Sequence, residues 1–299
     1  MGISIFKIKK WYKMMKGTSV THVNQGVGAC YSKTEIAGYY NDLTEKVTRD
    51  APELLVPKYH VDTGEEIFFS IGIFQYGLAA YDLFLTTGKE LFKNKLIACA
   101  NWAVDNQQDD GGWVTFAFKK PESPYSSMAQ GEGISMLLRA AILTNDHKYT
   151  EAARKAKEFM LKPICEGGTA EYKDRDVIFY EDTNSPVILN GWIFSLWGLF
   201  DYCKYTGDRE ANDILSRTLD TLASRLSEFD LKYWSKYDSG MRIASPFYHK
   251  LHIAQLDVMY DLFGSAVYKE YSEKWNGYQN SFWKRKRAFL KKMIQKILE

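Results

Sequence analysis

Along most of the chain, long blocks that are apolar nearly all round alternate with segments that are apolar on one side only. The apolar blocks are SIGIFQYGLAAYDLFL from Ser70, SSMAQGEGISMLLRAAIL from Ser126, VILNGWIFSLWGLFDYCKY from Val187 and KLHIAQLDVMYDLF from Lys250. Both kinds of block are too long for strands and read as helices. Gly88, Asn145, Gly207 and Gly264 follow the apolar blocks, and these residues tolerate the left-handed backbone that ends a helix. The segments that come next, such as YTEAARKAKEFML from Tyr149 and EANDILSRTLDTLASRL from Glu210, carry their charge on one face. The plan therefore predicts about four helical hairpins in tandem, which must stack on one another to bury their apolar faces. All-round apolar helices belong inside and one-sided ones outside. The expected fold is mainly α, an incomplete α/α toroid, with a concave solenoid as the other architecture. Gly77, Gly131, Gly133, Gly191 and Gly198 would let inner helices approach closely, despite their cost in helix propensity.

Before the hairpins the pattern is irregular. Residues 1–60 read as an arm with a short helix, opened by Ser32 with Glu35 three positions on, a capping-box spacing. Pro52 and Pro57 interrupt it, and the alternation from Tyr59 to Phe69 around Asp62-Thr63-Gly64 predicts a small hairpin. Residues 61–299 form the helical domain and finish on a basic helix. Composition narrows the picture further. The formal net charge of +2 over 299 residues gives no global pull toward nucleic acid. The four cysteines are scattered, without the spacing of a zinc site or a disulfide framework, which favours a reducing compartment. The first residues lack the apolar core and cleavage site of a secretory leader, and no run is long and apolar enough to span a bilayer. A cytoplasmic location is expected.

Both ends are basic and partly amphipathic. Lys7, Lys9, Lys10, Lys13 and Lys16 accompany Phe6, Trp11 and Met14, and WKRKRAFLKKMIQKIL runs from Trp283. Such segments suit peripheral contact with an anionic membrane face, and equally an acidic polysaccharide. The other reading is a solvated outer helix.

Polar groups fall near the starts of the inner helices: Gln75 and Tyr76, Gln130 and Glu132, Asn190 and Trp192, His249 and His252. They either line a cavity or tie the inner helices together. The densest cluster is SPFYHKLHIAQL, from Ser245 to Leu256. Pro246 suits a helix start, and Tyr248, His252 and Gln255 fall on one face. No nucleotide-binding loop or metal-ligand cluster is visible. His249 and His252 share a face but have no third ligand nearby, so neither metal nor cofactor is expected.

Three loop-to-helix segments resemble the C-terminal helical domain of the D-glucuronyl C5-epimerases of heparan sulfate and heparosan biosynthesis. SPYSSMAQGEGISMLLRA carries the family's AQG segment, and FYEDTNSPVILNGWIFSLWGLFDY its tyrosine ten residues before LNG. KYDSGMRIASPFYHKLHIAQL carries its YH-x-x-HI-x-QL. The resemblance covers roughly residues 60 to 275, with IFQYGLAAY a weaker fourth segment. It implies a bacterial-type member of that family, which the basic ends would dock where capsule or lipid-linked glycan is assembled. Its reaction would invert C5 of D-glucuronate in an acidic polysaccharide to give L-iduronate. The family's catalytic tyrosines map onto Tyr180, Tyr237 and Tyr248, with Tyr233 as the alternative to Tyr237. Phe179 stands where the animal enzymes have an acidic residue, with Glu181 just after it, and Arg242 matches the family arginine loosely.

Removing the proton at C5 places further charge on a group that is already an anion, so the site must supply a cation or strong donors. Arg242, His249, His252 and Asn190 are the candidates, and Glu181, Gln130, Gln75 and Tyr76 complete the expected substrate-binding set. Inversion needs a proton-transfer group on each ring face. Tyr180 and Tyr248 are expected there, with Tyr237 assisting one of them. Two other readings stay open: a glycan lyase or hydrolase, for which Glu132 and Glu181 are the carboxylate pair, and a non-catalytic glycan-binding protein. Self-association is compatible with all three.

Overall fold

The computed structural model describes Tyr12 and residues 25–50, 52–60 and 65–298. The basic N-terminal run and the Asp62-Thr63-Gly64 turn lie outside the described residues. Within them the chain is mainly α. Its helices are α1 (Ser70–Thr87), α2 (Glu90–Asp105), α3 (Ser127–Thr144), α4 (His147–Leu161), α5 (Leu189–Thr206), α6 (Arg209–Arg225), α7 (Pro246–Phe263), α8 (Ala266–Asn280) and α9 (Phe282–Leu298). Two short antiparallel pairs accompany them. β1 (Tyr59–His60) pairs with β2 (Glu66–Ile67), and β3 (Ala170–Lys173) with β4 (Asp176–Phe179), in the register Ala170 to Phe179.

The four helix stops read from the sequence are all present. Gly88, Asn145, Gly207 and Gly264 have φ of 66°, 55°, 68° and 71°, and each N–H closes the last turn of the helix before it. The hairpins α1–α2, α3–α4, α5–α6 and α7–α8 follow from these stops. In each, the first helix is the apolar one and the second carries the charge.

The chain divides into two compact units. The larger holds residues 28–187 and 191–221. Here α1 and α3 are buried over most of their length, as all-round apolar helices must be. The crossing of α3 and α5 depends on glycine, because a Cβ on Gly131 would lie 2.5 Å from the Ser195 Cα. A buried polar network ties residues 32–40 to the same helices. Arg139 pairs with Asp201 at 2.7 Å and donates to the carbonyls of Ala37 and Gly38. Tyr40 and Ser135 also donate to Asp201, at 2.6 and 2.8 Å. Burial pushes the Asp201 carboxyl up, and the charges of Arg139 and Lys204 more than reverse this, leaving it below its ordinary value.

The helix expected at Ser32 is absent. The Ser32 hydroxyl accepts from the N–H groups of Thr34 and Glu35, as in a cap, but residues 33–35 only bend. The carbonyls of Ala37 and Gly38 face Arg139 instead of a helical turn. Among the described residues from 25 to 60, the helical element is a π-type turn at Lys46–Asp50.

Among the described residues, the smaller unit contains 188–190 and 222–298, with 25–27. It is built on α7, α8 and α9 around an extended segment, 230–244. Lys236 bridges Ile243, the Tyr237 N–H donates to the Arg242 carbonyl at 2.7 Å, and the Ala244 N–H to the Ser235 carbonyl at 3.1 Å. This hairpin, turning at Asp238-Ser239-Gly240-Met241, joins residues 188–190 by the Ile188–Asp238 bridge and a bond from the Leu189 N–H to the Tyr237 carbonyl.

Candidate functional site

The start of α7 is fixed by local chemistry. Ser245 is the N-cap, its hydroxyl accepting the Tyr248 N–H at 3.3 Å, and Pro246 fills the first helical position. Tyr248 therefore stands in the first turn, and its ring meets that of Tyr237 edge to face, with centroids 4.7 Å apart. The Arg242 guanidinium lies over the Tyr237 ring, 5.0 Å from its centroid, and is ion-paired with the buried Asp238. The hairpin thus brings two of the sequence-predicted tyrosines and the predicted arginine together, with all three side chains partly exposed.

Behind the tyrosines sits a dry histidine pair. His249 and His252 are both buried, and both contact Ser235. The Ser235 N–H donates to His249 Nδ1 at 3.2 Å, so the His249 proton sits on Nε2, which donates to the Trp275 carbonyl at 3.1 Å. Trp234 stacks on the same imidazole with centroids 3.6 Å apart. The Ser235 hydroxyl lies 2.8 Å from His249 Nδ1 and 3.0 Å from His252 Nδ1, so it donates to the first ring and can accept the Nδ1–H of the second. Burial pushes His252 down to about 3, and burial together with the neighbouring His252 holds His249 well below its ordinary value. Both imidazoles are therefore neutral, so of the two roles open to them, cation or hydrogen-bonding group, the burial favours the second. They can act on a ligand as neutral donors or acceptors.

His252 Nε2, Gln255 Oε1 and Asn190 Oδ1 are buried without a protein partner. The Gln255 amide donates to the Asn190 carbonyl at 3.3 Å, tying the first turn of α5 to α7. Buried polar atoms of this kind are rare in structural cores and common where a polar molecule binds.

In the larger unit, Tyr180 follows the last residue of β4 and donates its hydroxyl hydrogen to Glu171 at 2.7 Å. Its carbonyl accepts from the Ser127 N–H at the start of α3. Glu181 is buried, and its carboxylate lies against Gly191, where a Cβ would collide with it. Glu132 is fully buried and accepts from the Gln75 amide at 2.8 Å. Burial pushes the Glu132 carboxyl well above the usual carboxylate range, despite the Gln75 bond, and Glu181 adds to the rise. Gln130 faces the loop before α3, and with its amide oriented to satisfy both groups it donates to the Gly111 carbonyl at 3.2 Å and accepts the Trp113 N–H at 3.1 Å. Tyr76 donates to the Leu54 carbonyl and accepts from Lys95. Gln75, Gln130 and Tyr76 thus have partners within the protein, consistent with tying elements together.

Ser235, Trp234, Asp238 and Gln255 are the neighbours that extend the predicted set. Gln255 was legible as the third member of the α7 face. The turn residues Asp-Ser-Gly after Tyr237 signal a hairpin, and that hairpin would have drawn in Trp234, Ser235 and Asp238. Among the described residues, no group of three or more His, Cys, Asp or Glu is placed to hold a metal ion.

Residues 110–277 match the family model described as the D-glucuronyl C5-epimerase C-terminus. The D-glucuronyl C5-epimerase of Caenorhabditis elegans is 29% identical over 225 residues, 65% of this chain and 36% of that protein. An uncharacterized protein of Methanocaldococcus jannaschii is 26% identical over 155 residues, 50% of each. The chain thus spans about a third of the first relative and half of the second. Among solved structures, the unsaturated glucuronyl hydrolase of Bacillus sp. GL1 is 12% identical, with a TM-score of 0.47 over 70% of this chain and 61% of that one. A UGL variant with dGlcA-Glc-Rha-Glc, also 12% identical, gives 0.49 over 90% and 81%. At scores below 0.5 neither likeness bears on the fold or function of this chain.

Proposed function

We propose that this chain, which belongs to the D-glucuronyl C5-epimerase C-terminus family, is a uronosyl C5-epimerase acting on D-glucuronate residues of an acidic polysaccharide. The observation that carries the reading is the contact of Tyr237 with Tyr248 beside Arg242. Phenols next to a guanidinium suit proton transfer at a carbon α to a carboxylate.

In the proposed reaction an ionised tyrosine takes the C5 proton, and the electron pair of the broken C–H bond spreads into the C6 carboxylate. A proton delivered to the opposite face of C5 then gives the L-iduronate. Tyr248 is the proton-moving group of α7, with Tyr237 as its partner. Arg242 and the neutral donors of this unit meet the charge that builds on the carboxylate. Tyr180, a catalytic tyrosine by its motif, is our candidate for the opposite-face role, and Tyr180→Phe tests it by its own loss of turnover.

The hydrolase reading rests on Glu132 and Glu181. Glu132 is sealed from solvent and held by Gln75, which places it poorly for protonating a glycosidic oxygen. The epimerase reading is therefore the better supported.

The test is incubation with heparosan in heavy water, with C5 deuteration followed by NMR. The proposal expects exchange together with iduronate signals, and Tyr248→Phe should lower the exchange rate by at least ~100-fold with the far-UV CD unchanged. A new double bond or chain cleavage without exchange would point to the lyase or hydrolase reading. Binding without turnover would leave a glycan-binding protein.

A further inference from the structure

The last helix turns its apolar side outward. On α9, Trp283, Leu290 and Ile294 lie seven and four residues apart and so share one face. They are 76%, 54% and 50% exposed. Leu298, near the same face, is 82% exposed, and Phe282, at the first turn, 52%. The opposite side makes the contacts with the rest of the smaller unit. Ala288 is buried, and Ala288, Phe289, Arg285 and Lys292 close over Trp234 and Pro246. Gln295 accepts the Ile243 N–H at 3.0 Å and donates to the Met241 carbonyl at 2.8 Å. An amphipathic helix packed only for its own stability would turn its larger apolar residues inward; this one turns Phe289 in and leaves Trp283, Leu290 and Ile294 outside.

Charge selects among the possible occupants of that face. Seven of the 17 residues of α9 are Lys or Arg and none is acidic. Lys286, Arg287 and Lys291 are exposed and flank the apolar strip. A second copy of the same face would set cation against cation. An acidic polysaccharide would satisfy the cations and gain nothing from Trp283, Leu290 and Ile294. A surface that is anionic at its headgroups and apolar just below them uses both features.

We propose that α9 docks this protein on an anionic lipid surface, with Trp283, Leu290 and Ile294 entering the acyl boundary and the flanking cations meeting the headgroups. The proposal goes beyond the epimerase reading and does not depend on it, since vesicle binding is measured without turnover.

The experiment is co-sedimentation of the full chain with vesicles of phosphatidylcholine alone, or of phosphatidylcholine with a third phosphatidylglycerol. Binding should appear only with the anionic vesicles and weaken as salt rises. Each of Lys286→Gln, Arg287→Gln and Lys291→Gln should weaken it roughly fivefold at low salt. The triple variant Trp283→Ser, Leu290→Ser, Ile294→Ser should weaken it at least ~10-fold while keeping all seven charges. Its CD spectrum and melting temperature should match those of the parent, because the strip makes no core. Phosphatidylcholine carrying a doxyl group in its acyl chain should quench tryptophan fluorescence in the parent more than in Trp283→Phe.

Three results overturn the proposal. The first is no binding to anionic vesicles at low salt. The second is equal binding by the triple serine variant, which would reduce the effect to charge and favour an acidic glycan as the occupant. The third is a dimer in sedimentation equilibrium that the triple variant converts to monomer, which would assign the strip to a second copy of the chain.

Discussion

His252 has a heavily buried ring whose pKa is pushed down to about 3 from an ordinary 6.5. The folded chain leaves the ring neutral, whereas the unfolded chain protonates it below about 6.5. Between those values the unfolded state binds more protons, so stability rises with pH. The contribution is complete above about 6.5 and is lost as the pH falls toward 3. Each such histidine steepens acid unfolding by about 1.4 kcal/mol per pH unit, and His249 is shifted in the same direction. Replacing His252 by Gln should lower the slope of urea-unfolding free energy against pH, measured between pH 4 and 6, by about that amount. An unchanged slope would mean that the ring is hydrated in solution. The sequence placed both histidines beside Tyr248 but left them as cations or neutral donors, because spacing along a helix says nothing about how dry its face is. That dryness comes from Trp234 and Trp275, residues 15 and 26 positions from His249 in the chain.

The helical hairpins were almost fully legible. Period, all-round apolarity and a residue that tolerates positive φ are local signals, and all four stops stand where they were read. Two glycines separate the reasons for placing glycine in a helix. At Gly131 a Cβ would lie 2.5 Å from the Ser195 backbone of α5, whereas at Gly277 in α8 nothing lies within 4 Å. Gly131→Ala should therefore destabilise by ~1–3 kcal/mol through overpacking. Gly277→Ala should stabilise by ~0.5–1 kcal/mol, the ordinary gain in helix propensity. Thermal or urea midpoints of the two variants check this, and a shift in the same direction would refute the close crossing. The hairpin at 235–244 has a local signal in its Asp-Ser-Gly turn, but what it packs on was not legible, because those partners are remote: residues 188–190 on one side and Gln295 on the other. A capping pattern misled at Ser32 for the same reason, since Arg139 claims carbonyls that a helix would have used.

At the scale of the whole molecule, residues 32–40 are structural members of the larger unit, fastened by a buried charge. Asp201→Asn would leave Arg139 charged, fully buried and short of its partner, at a cost of ~3–5 kcal/mol. The check is the urea midpoint, together with proteolysis inside residues 28–40, where cleavage should become faster. Retained stability would mean that water reaches Arg139. A double replacement of Arg139 and Asp201 by apolar residues should recover part of the loss, because the uncompensated charge would then be gone.

Gln295 has a consequence for anyone handling the protein. One side chain, four residues before Glu299, holds the turn between Tyr237 and Arg242 by both of its amide atoms. Residue 295 of α9 thus clamps the tyrosine hairpin, and whatever loosens this part of the helix loosens the hairpin with it. A preparation carrying Gln295→Ala, or one clipped within α9, should therefore be checked for an intact tyrosine hairpin before its activity is interpreted.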